Sequence, residues 1–152
     1  MHSRAASLIR ELQLAPHPEG GYYRRVFQSA VQAANGRACS SAILFLLPQG
    51  AVSRWHRVDA DEIWHFYEGE PLELLIAETP STVRRELLGP VAEDCMPQRV
   101  VAAHAWQAAR ALGDYTLVGC TVAPGFEFAG FRLLADDPQA QRDWPLLDLA
   151  LL

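Results

Sequence analysis

The sequence contains no lysine; all 13 of its basic residues are arginines. Schiff-base catalysis through a lysine amine is therefore excluded, as is a phosphate-binding loop built on a lysine. Cysteine is also scarce. Cys39, Cys95 and Cys120 lie far apart and form no CxxC pair. That removes zinc knuckles and thioredoxin-like redox motifs, and an odd number of separated thiols fits an ordinary reduced set in the cytoplasm. No run of 18 apolar residues exists, so no membrane span is expected. The opening MHSRAASLIRELQL lacks the uninterrupted apolar core of a secretory signal. Positive charge is in deficit: the net charge is −5 and the pI about 5.5. A phosphate-backbone partner needs a basic face, so nucleic acid is not the expected partner.

What is present is the composition of one globular domain. The chain has 152 residues, half hydrophobic and a fifth charged, which suits a single domain over 1–152 with a real core. Leu8, Ile9 and Leu12 fit one face of a short N-terminal helix with Ser3 as its N-cap. The prolines and glycines of APHPEGG then make a turn, in which His17 and Glu19 read as turn residues. From Tyr22 onward the pattern is β. Strands are expected over Ser40–Leu47, Val52–Val58, Glu62–Tyr67 and Leu72–Ala77. Several shorter ones follow, broken at Gly113-Asp114 and Pro124-Gly125. The tail DDPQAQRDWPLLDLALL reads as a short helical turn with a packed apolar end. No long helical pattern lies between strands, so the class is mostly β, closed or double-sheeted to hide its edges.

The chemistry concentrates in GAVSRWHRVDADEIWHFYEG, Gly50 to Gly69. On a strand, positions i and i+2 face the same side, so His56 and Val58 are expected to look inward together. The next strand brings Glu62 beside them. An inward carboxylate next to an imidazole orients it and favours its charged form. Trp64 and Phe66 share parity with Glu62 and are expected to form aromatic walls of the same interior. His65, three residues from Glu62, is expected on the opposite face, and Asp59 and Asp61 at a turn. Tyr23, Tyr67 and Tyr115 are candidate proton donors. Arg24 and Arg25 have opposite strand parity. One of them would meet a ligand carboxylate or phosphate at the mouth, and Arg24 is taken as that residue.

The spacing Gly50-x5-His56-x-Val58-x3-Glu62-x6-Gly69 resembles the first motif of the cupin superfamily, G-x5-H-x-H-x3,4-E-x6-G, with Val58 in place of the second histidine. PHPEGGYYRR, WHRVDADEIWHFYEGEPLEL, AWQAAR and PGFEFAGFRL together resemble the small cupin-5 group, formerly listed as a domain of unknown function. That resemblance runs from about Leu8 to about Leu134. It implies a double-stranded β-helix, the cupin jelly roll, with a pocket inside the barrel and a homodimeric assembly. It implies no settled reaction. The second cupin motif, P-x-G-x2-H, aligns with Ala102 to Gln107. Gln107 then stands where a metal-binding cupin has its last histidine, and His104 where the motif has glycine. A metal set drawn from this pattern would be His56, Glu62 and Gln107, a poor provision for a tightly held transition metal. No cofactor is therefore expected, with a divalent metal admitted only at low occupancy.

The expected protein is thus a small-molecule-binding cupin. Its leading reading is a metal-independent isomerase or epimerase on a sugar-like or keto compound. His56 and Glu62 would be its acid–base pair, and Tyr23, Arg24, Trp64, Phe66 and Gln107 would touch the ligand. A non-catalytic metabolite-binding module and a metal-dependent enzyme with an incomplete ligand set are the alternatives.

Overall fold

The computed structural model describes residues 1–147 and 151. The chain runs through helix α1 (Ser3–Glu11) and strands β1 (Ala15–Pro16), β2 (Tyr22–Gln28), β3 (Ser41–Pro48), β4 (Val52–Arg57), β5 (Asp61–Gly69) and β6 (Leu72–Thr79). It continues through β7 (Thr82–Leu88), β8 (Cys95–Met96), β9 (Gln98–Val101), β10 (Trp106–Ala111), β11 (Tyr115–Ala123), β12 (Arg132–Leu133) and helix α2 (Pro138–Asp143). Two six-stranded sheets result, ordered β1-β2-β3-β11-β5-β9 and β12-β4-β10-β6-β7-β8. This is the double-stranded β-helix, with the short helices at both ends that the sequence predicts.

Alternation along each strand decides what fills the space between the sheets. Phe45 and Leu47 of β3, Trp64 of β5, Leu72, Leu74 and Ile76 of β6, and Val118 and Cys120 of β11 turn inward into one core. The intervening residues face out and are covered. Leu46 and Leu117 lie under Ala5 and Leu8 of α1. Trp55, Trp106 and Ala108 lie under the C-terminal segment, through Leu134, Ala140, Leu147 and Leu151. Leu147, Leu151 and Trp144 give the apolar end its packing, Leu146 is exposed, and residues 148–150 and 152 lie outside the described residues.

One local expectation is corrected. Ser3 is the first helical residue, and His2 is the N-cap of α1, its ring Nδ1 accepting from the Arg4 amide at 3.3 Å. A histidine nitrogen supplies here the acceptor that a serine oxygen would. His104, in contrast, takes the glycine position of the second motif as the alignment implies, with φ 68°. Histidine is among the residues that tolerate the left-handed region.

A bulge fixes the inner face of β4. Gln107 pairs with His56, but Ala109 pairs with Ser53, so β4 carries one extra residue between them. The parity flips, and Ser53 and His56, three apart in sequence, both face the interior.

Candidate active site

One end of the barrel is open and encloses a cavity of about 320 Å³. His56, Glu62 and Cys120 line its buried end, together with Glu19 and His17 from the APHPEGG turn. The turn is carried inward by backbone contact. Gly20 has φ 113°, and a Cβ on it would lie 2.0 Å from the Val52 carbonyl oxygen, so only glycine lets the turn lie against β4. The Arg54 amide donates to the Glu19 carbonyl at 2.8 Å, and the Arg54 guanidinium donates to the Pro18 carbonyl at 2.5 Å. Glu19 is thereby directed into the barrel and is 7% exposed. Glu19 is a turn residue, as the sequence predicts; its burial and its place in the cavity are what the sequence did not show. The Gly20-Gly21 pair was the available signal, since adjacent glycines mark close backbone approach as well as turns.

Glu19 meets three side chains. Ser53 Oγ donates to its Oε1 at 2.7 Å. Its Oε2 lies 3.3 Å from His56 Nε2 and 3.5 Å from His17 Nδ1. The His56 ring is oriented from its other side, with Nδ1 2.7 Å from the Arg54 carbonyl oxygen. A carbonyl only accepts, so Nδ1 carries a proton and Nε2 is the nitrogen presented to Glu19. His17 accepts from the Glu19 amide through Nδ1 at 3.2 Å, which puts its own proton on Nε2.

Glu62 stands on the other sheet. Its Oε2 accepts from Gln107 Nε2 at 2.5 Å, and Gln107 Oε1 accepts from Trp64 Nε1 at 2.9 Å. Trp64 and Gln107 are therefore the rear support of Glu62. Burial holds the carboxyls of both Glu19 and Glu62 above the usual range, against the opposing pull of nearby imidazole and hydrogen bonds. Burial likewise lowers His56 and His17 and raises the Cys120 thiol well up. The nearest carboxyl to His56 is Glu19; the Glu62 charge acts on the ring from further off. Desolvation thus favours the uncharged arrangement, an imidazole beside a carboxylic acid.

The aromatic walls exist, but other residues build them. Tyr23, Phe45, Phe126, Phe128 and Phe131 line the cavity. The Phe131 ring lies 5.6 Å from that of His56, and Phe126 packs on Phe131 at 5.9 Å and on Phe128 at 5.0 Å. Trp64 and Phe66 do face inward, as parity requires, yet they pack into the core rather than line the cavity. Trp64 meets Phe45 edge-on at 5.9 Å. Parity fixes a face and not a depth: Trp64, Phe66 and Gln107 lie in the core, off the cavity lining. His56, Glu62 and Tyr23 reach the cavity as expected.

At the open end both Arg24 and Arg25 line the cavity, from different faces of β2. Tyr23 pairs with Phe45 and Arg25 with Ile43, two inward residues, so Arg25 takes the cavity face. Arg24 pairs with Leu44 on the outer face, and its Nη1 donates to the Leu12 carbonyl at 3.2 Å; it still reaches the cavity's edge. His65 lies on the outer face of β5, bonded to Thr121 and Gln98. Asp59 binds Arg37 through two hydrogen bonds of 2.9 and 3.0 Å, and Asp61 accepts from the Ala103 amide, so both serve the turn.

The donors do not fit a cupin metal. Val58 supplies no ligand, and the Gln107 amide is spent on Trp64 and Glu62. His17 and His56 both meet the Glu19 carboxyl itself, and among the described residues no three histidine, cysteine or carboxylate groups form a set that could hold a metal ion.

A two-sheet β-helix with a ligand-sized cavity between its sheets defines a small-molecule-binding cupin. The chain belongs to the Cupin superfamily (DUF985), whose family model matches residues 6–134. Among solved structures it is similar to a hypothetical protein from Leishmania major, at 31% identity over 97% of this chain and 96% of that one, with a TM-score of 0.83. It is also similar to a protein from Shewanella oneidensis, at 34% identity over 93% and 90% of the two chains, with a TM-score of 0.85. Oxalate decarboxylase from Bacillus subtilis shares the fold alone, at 14% identity and a TM-score of 0.62, over 80% of this chain and 30% of that one. No curated protein matches the chain. Among the described residues no helix is long and apolar enough to cross a membrane.

Proposed function

We propose that the cavity performs metal-independent proton transfer on a small carbonyl compound of sugar or keto type, as an isomerase or epimerase. The observation that carries this reading is the His56 ring, fixed at Nδ1 by a carbonyl and facing the Glu19 carboxyl with Nε2. A buried imidazole and two carboxyls with raised affinity for protons can take a proton from the carbon next to a carbonyl. A second member of the cluster returns a proton to the neighbouring carbon or to the other face of the same one. The enolate formed in between is met by the protonated acid, which donates to its oxygen. The phenylalanine wall excludes water, which strengthens each of these interactions. The pair proposed from sequence, His56 and Glu62, becomes a trio with Glu19.

A second reading is supported by how fully the cluster satisfies itself. Glu19, Glu62 and Gln107 all have partners within the protein. Such a pocket suits a module that binds a metabolite without turning it over. Solvent deuterium exchange separates the two. Dihydroxyacetone, its phosphate and phenylpyruvate are incubated with the protein in D2O, and proton NMR follows the C–H next to each carbonyl. Exchange above the buffer rate that disappears in His56→Gln supports catalysis. Binding of a probe without exchange favours the module. A homodimer is part of the same proposal; Val26 and Phe27, each 52% exposed on the outer length of β2, are the surface offered to a second copy.

A further inference from the structure

The cavity changes character from its buried end to its mouth. The buried end holds Glu19, Glu62, His56 and Cys120, a set that desolvation drives toward uncharged forms. The rest of the lining is largely apolar, with Ile43, Phe45, Val122 and Phe131. The mouth carries Arg24 and Arg25, both exposed.

Arg25 stands out by its lack of partners. The chain has 18 acidic residues against 13 arginines, so carboxylates are in surplus. Arg4, Arg37, Arg84, Arg85, Arg99 and Arg110 each pair with one, while Arg10, Arg54, Arg132 and Arg142 bond other oxygens and Arg57 lies over the Trp106 ring. Among the described residues the Arg25 side chain makes no ion pair and no hydrogen bond; only its backbone is paired, with β3. Arg24 makes one bond, to a backbone carbonyl, and meets no carboxylate. The carboxyls that line the cavity, Glu19 and Glu62, are already engaged by Ser53 and Gln107 at the buried end. The Arg25 guanidinium therefore faces the mouth with no counter-charge beside it, and that of Arg24, held by the Leu12 carbonyl, stands at its edge. A guanidinium binds carboxylate and phosphate oxygens through paired N–H donors. An acidic protein that keeps two such groups at a cavity mouth offers the anion a local exception to its own repulsive field.

We propose that the ligand carries one terminal oxyanion group, a carboxylate or a phosphate, which Arg25 binds at the mouth with Arg24 beside it, while an apolar or ring-shaped middle lies on the phenylalanine wall. On the proton-transfer reading above, this anchoring turns the carbonyl end toward His56. The substrate class is then a small keto acid or a sugar phosphate rather than a neutral sugar. The anion subsite itself needs no catalysis.

Matched probes test it by calorimetric titration at low salt. One pair is 4-acetylbenzoate, whose ring separates the carboxylate from the carbonyl, and its methyl ester; the other is dihydroxyacetone phosphate and dihydroxyacetone. The charged member of at least one pair should bind the native protein at least tenfold more tightly than its neutral mate, and which pair does so separates carboxylate from phosphate. Arg25→Ala should lower that affinity roughly 10- to 100-fold, the usual range for a charged hydrogen bond. Arg25→Lys should restore part of it, and Arg24→Ala should cost less. Thermal melts of each variant check the fold, which an exposed side chain on a sheet edge should leave intact. The proposal is overturned if neutral mates bind equally well, if no charged probe binds at 10 mM, or if the preference survives Arg25→Ala. Anion preference without deuterium exchange would remove the proton-transfer reading and keep the subsite. Exchange of neutral ketones without anion preference would do the reverse.

Discussion

Glu19 Oε2 lies 3.3 Å from His56 Nε2, joining a residue of the first turn to one of the fourth strand inside the barrel. Both groups are buried, and His56 already spends the proton of its Nδ1 on the Arg54 carbonyl. The contact is therefore made either by a carboxylic acid donating to a neutral imidazole or by an ion pair. Desolvation favours the first.

The two states have opposite pH signatures. Burial raises Glu19 above its ordinary value of 4.5, so the folded chain keeps a proton that the unfolded chain releases. Stability from that proton is complete below 4.5 and falls as pH climbs through the raised folded value. His56 and His17, lowered from 6.5, act in reverse: they destabilise below 6.5, and stability recovers as pH rises to it. Glu19→Gln removes the carboxyl's share and keeps an oxygen for Ser53. Its melting temperature relative to the native protein should rise above pH 4.5 and level off once Glu19 has ionised in the folded chain. Each unit of pKa elevation corresponds to about 1.4 kcal/mol, or roughly 3–5 °C in a chain of this size. A difference that falls with pH would mean an ionised Glu19 paired with imidazolium.

His56→Ala tests the ring itself. The truncation leaves a buried gap and removes a hydrogen bond to the Arg54 carbonyl, a cost of about 1–3 kcal/mol. The protein should still melt cooperatively. Calorimetry should then show at least a tenfold loss of affinity for whichever carbonyl probe binds the native chain, and exchange should stop. Unchanged binding in a folded variant would remove His56 from the site.

Much of the fold was legible because strand alternation and turn residues are local signals. Leu44 through Leu47 declare a buried strand, and the motif spacing from Gly50 to Gly69 brings His56 and Glu62 to one interior. What local pattern could not supply was distance along the barrel axis and contact across sequence. Trp64 and Phe66 face inward as parity requires, but parity does not report that they sit in the core, off the cavity lining. The choice of Arg24 over Arg25 needed the pairing register of β2 with β3, which starts from an unknown phase. Ser53 joined the site only through a bulge in β4. Glu19 reached it through a loop folding onto a strand more than thirty residues later, and no periodicity reports that.

Gly20→Ala probes that loop. The added Cβ would meet the Val52 carbonyl oxygen at 2.0 Å, and φ 113° is a conformation that alanine rarely adopts. Strain of this kind costs about 1–3 kcal/mol or is relieved by moving the turn away. Either response shifts Glu19 from His56. The variant should show a lowered melting temperature together with weaker probe binding. Arg54→Ala, which loses the clamp on Pro18 and Glu19, should weaken binding in the same direction. Full affinity in a destabilised Gly20→Ala would show that Glu19 need not sit where it does for the ligand to bind.

Val58→His examines why the metal donor set is incomplete. Val58 lines the cavity with His56, as parity predicted, so a histidine there would present a second imidazole beside Glu62. Two imidazoles and a carboxylate are the minimum for a transition-metal site with open positions. Glu62 must release its proton to serve, so the gain should grow with pH across the range in which the raised carboxyl ionises. Titration with nickel or zinc should show at least a tenfold rise in affinity over the native chain at pH 8, and a smaller one at pH 6. Adding Gln107→His should raise it again, while freeing Trp64 Nε1 from its acceptor and lowering stability. No gain in either variant would mean that position 58 does not share a coordination sphere with His56. The departure from the cupin ligand pattern would then reflect the shape of the pocket rather than one missing imidazole.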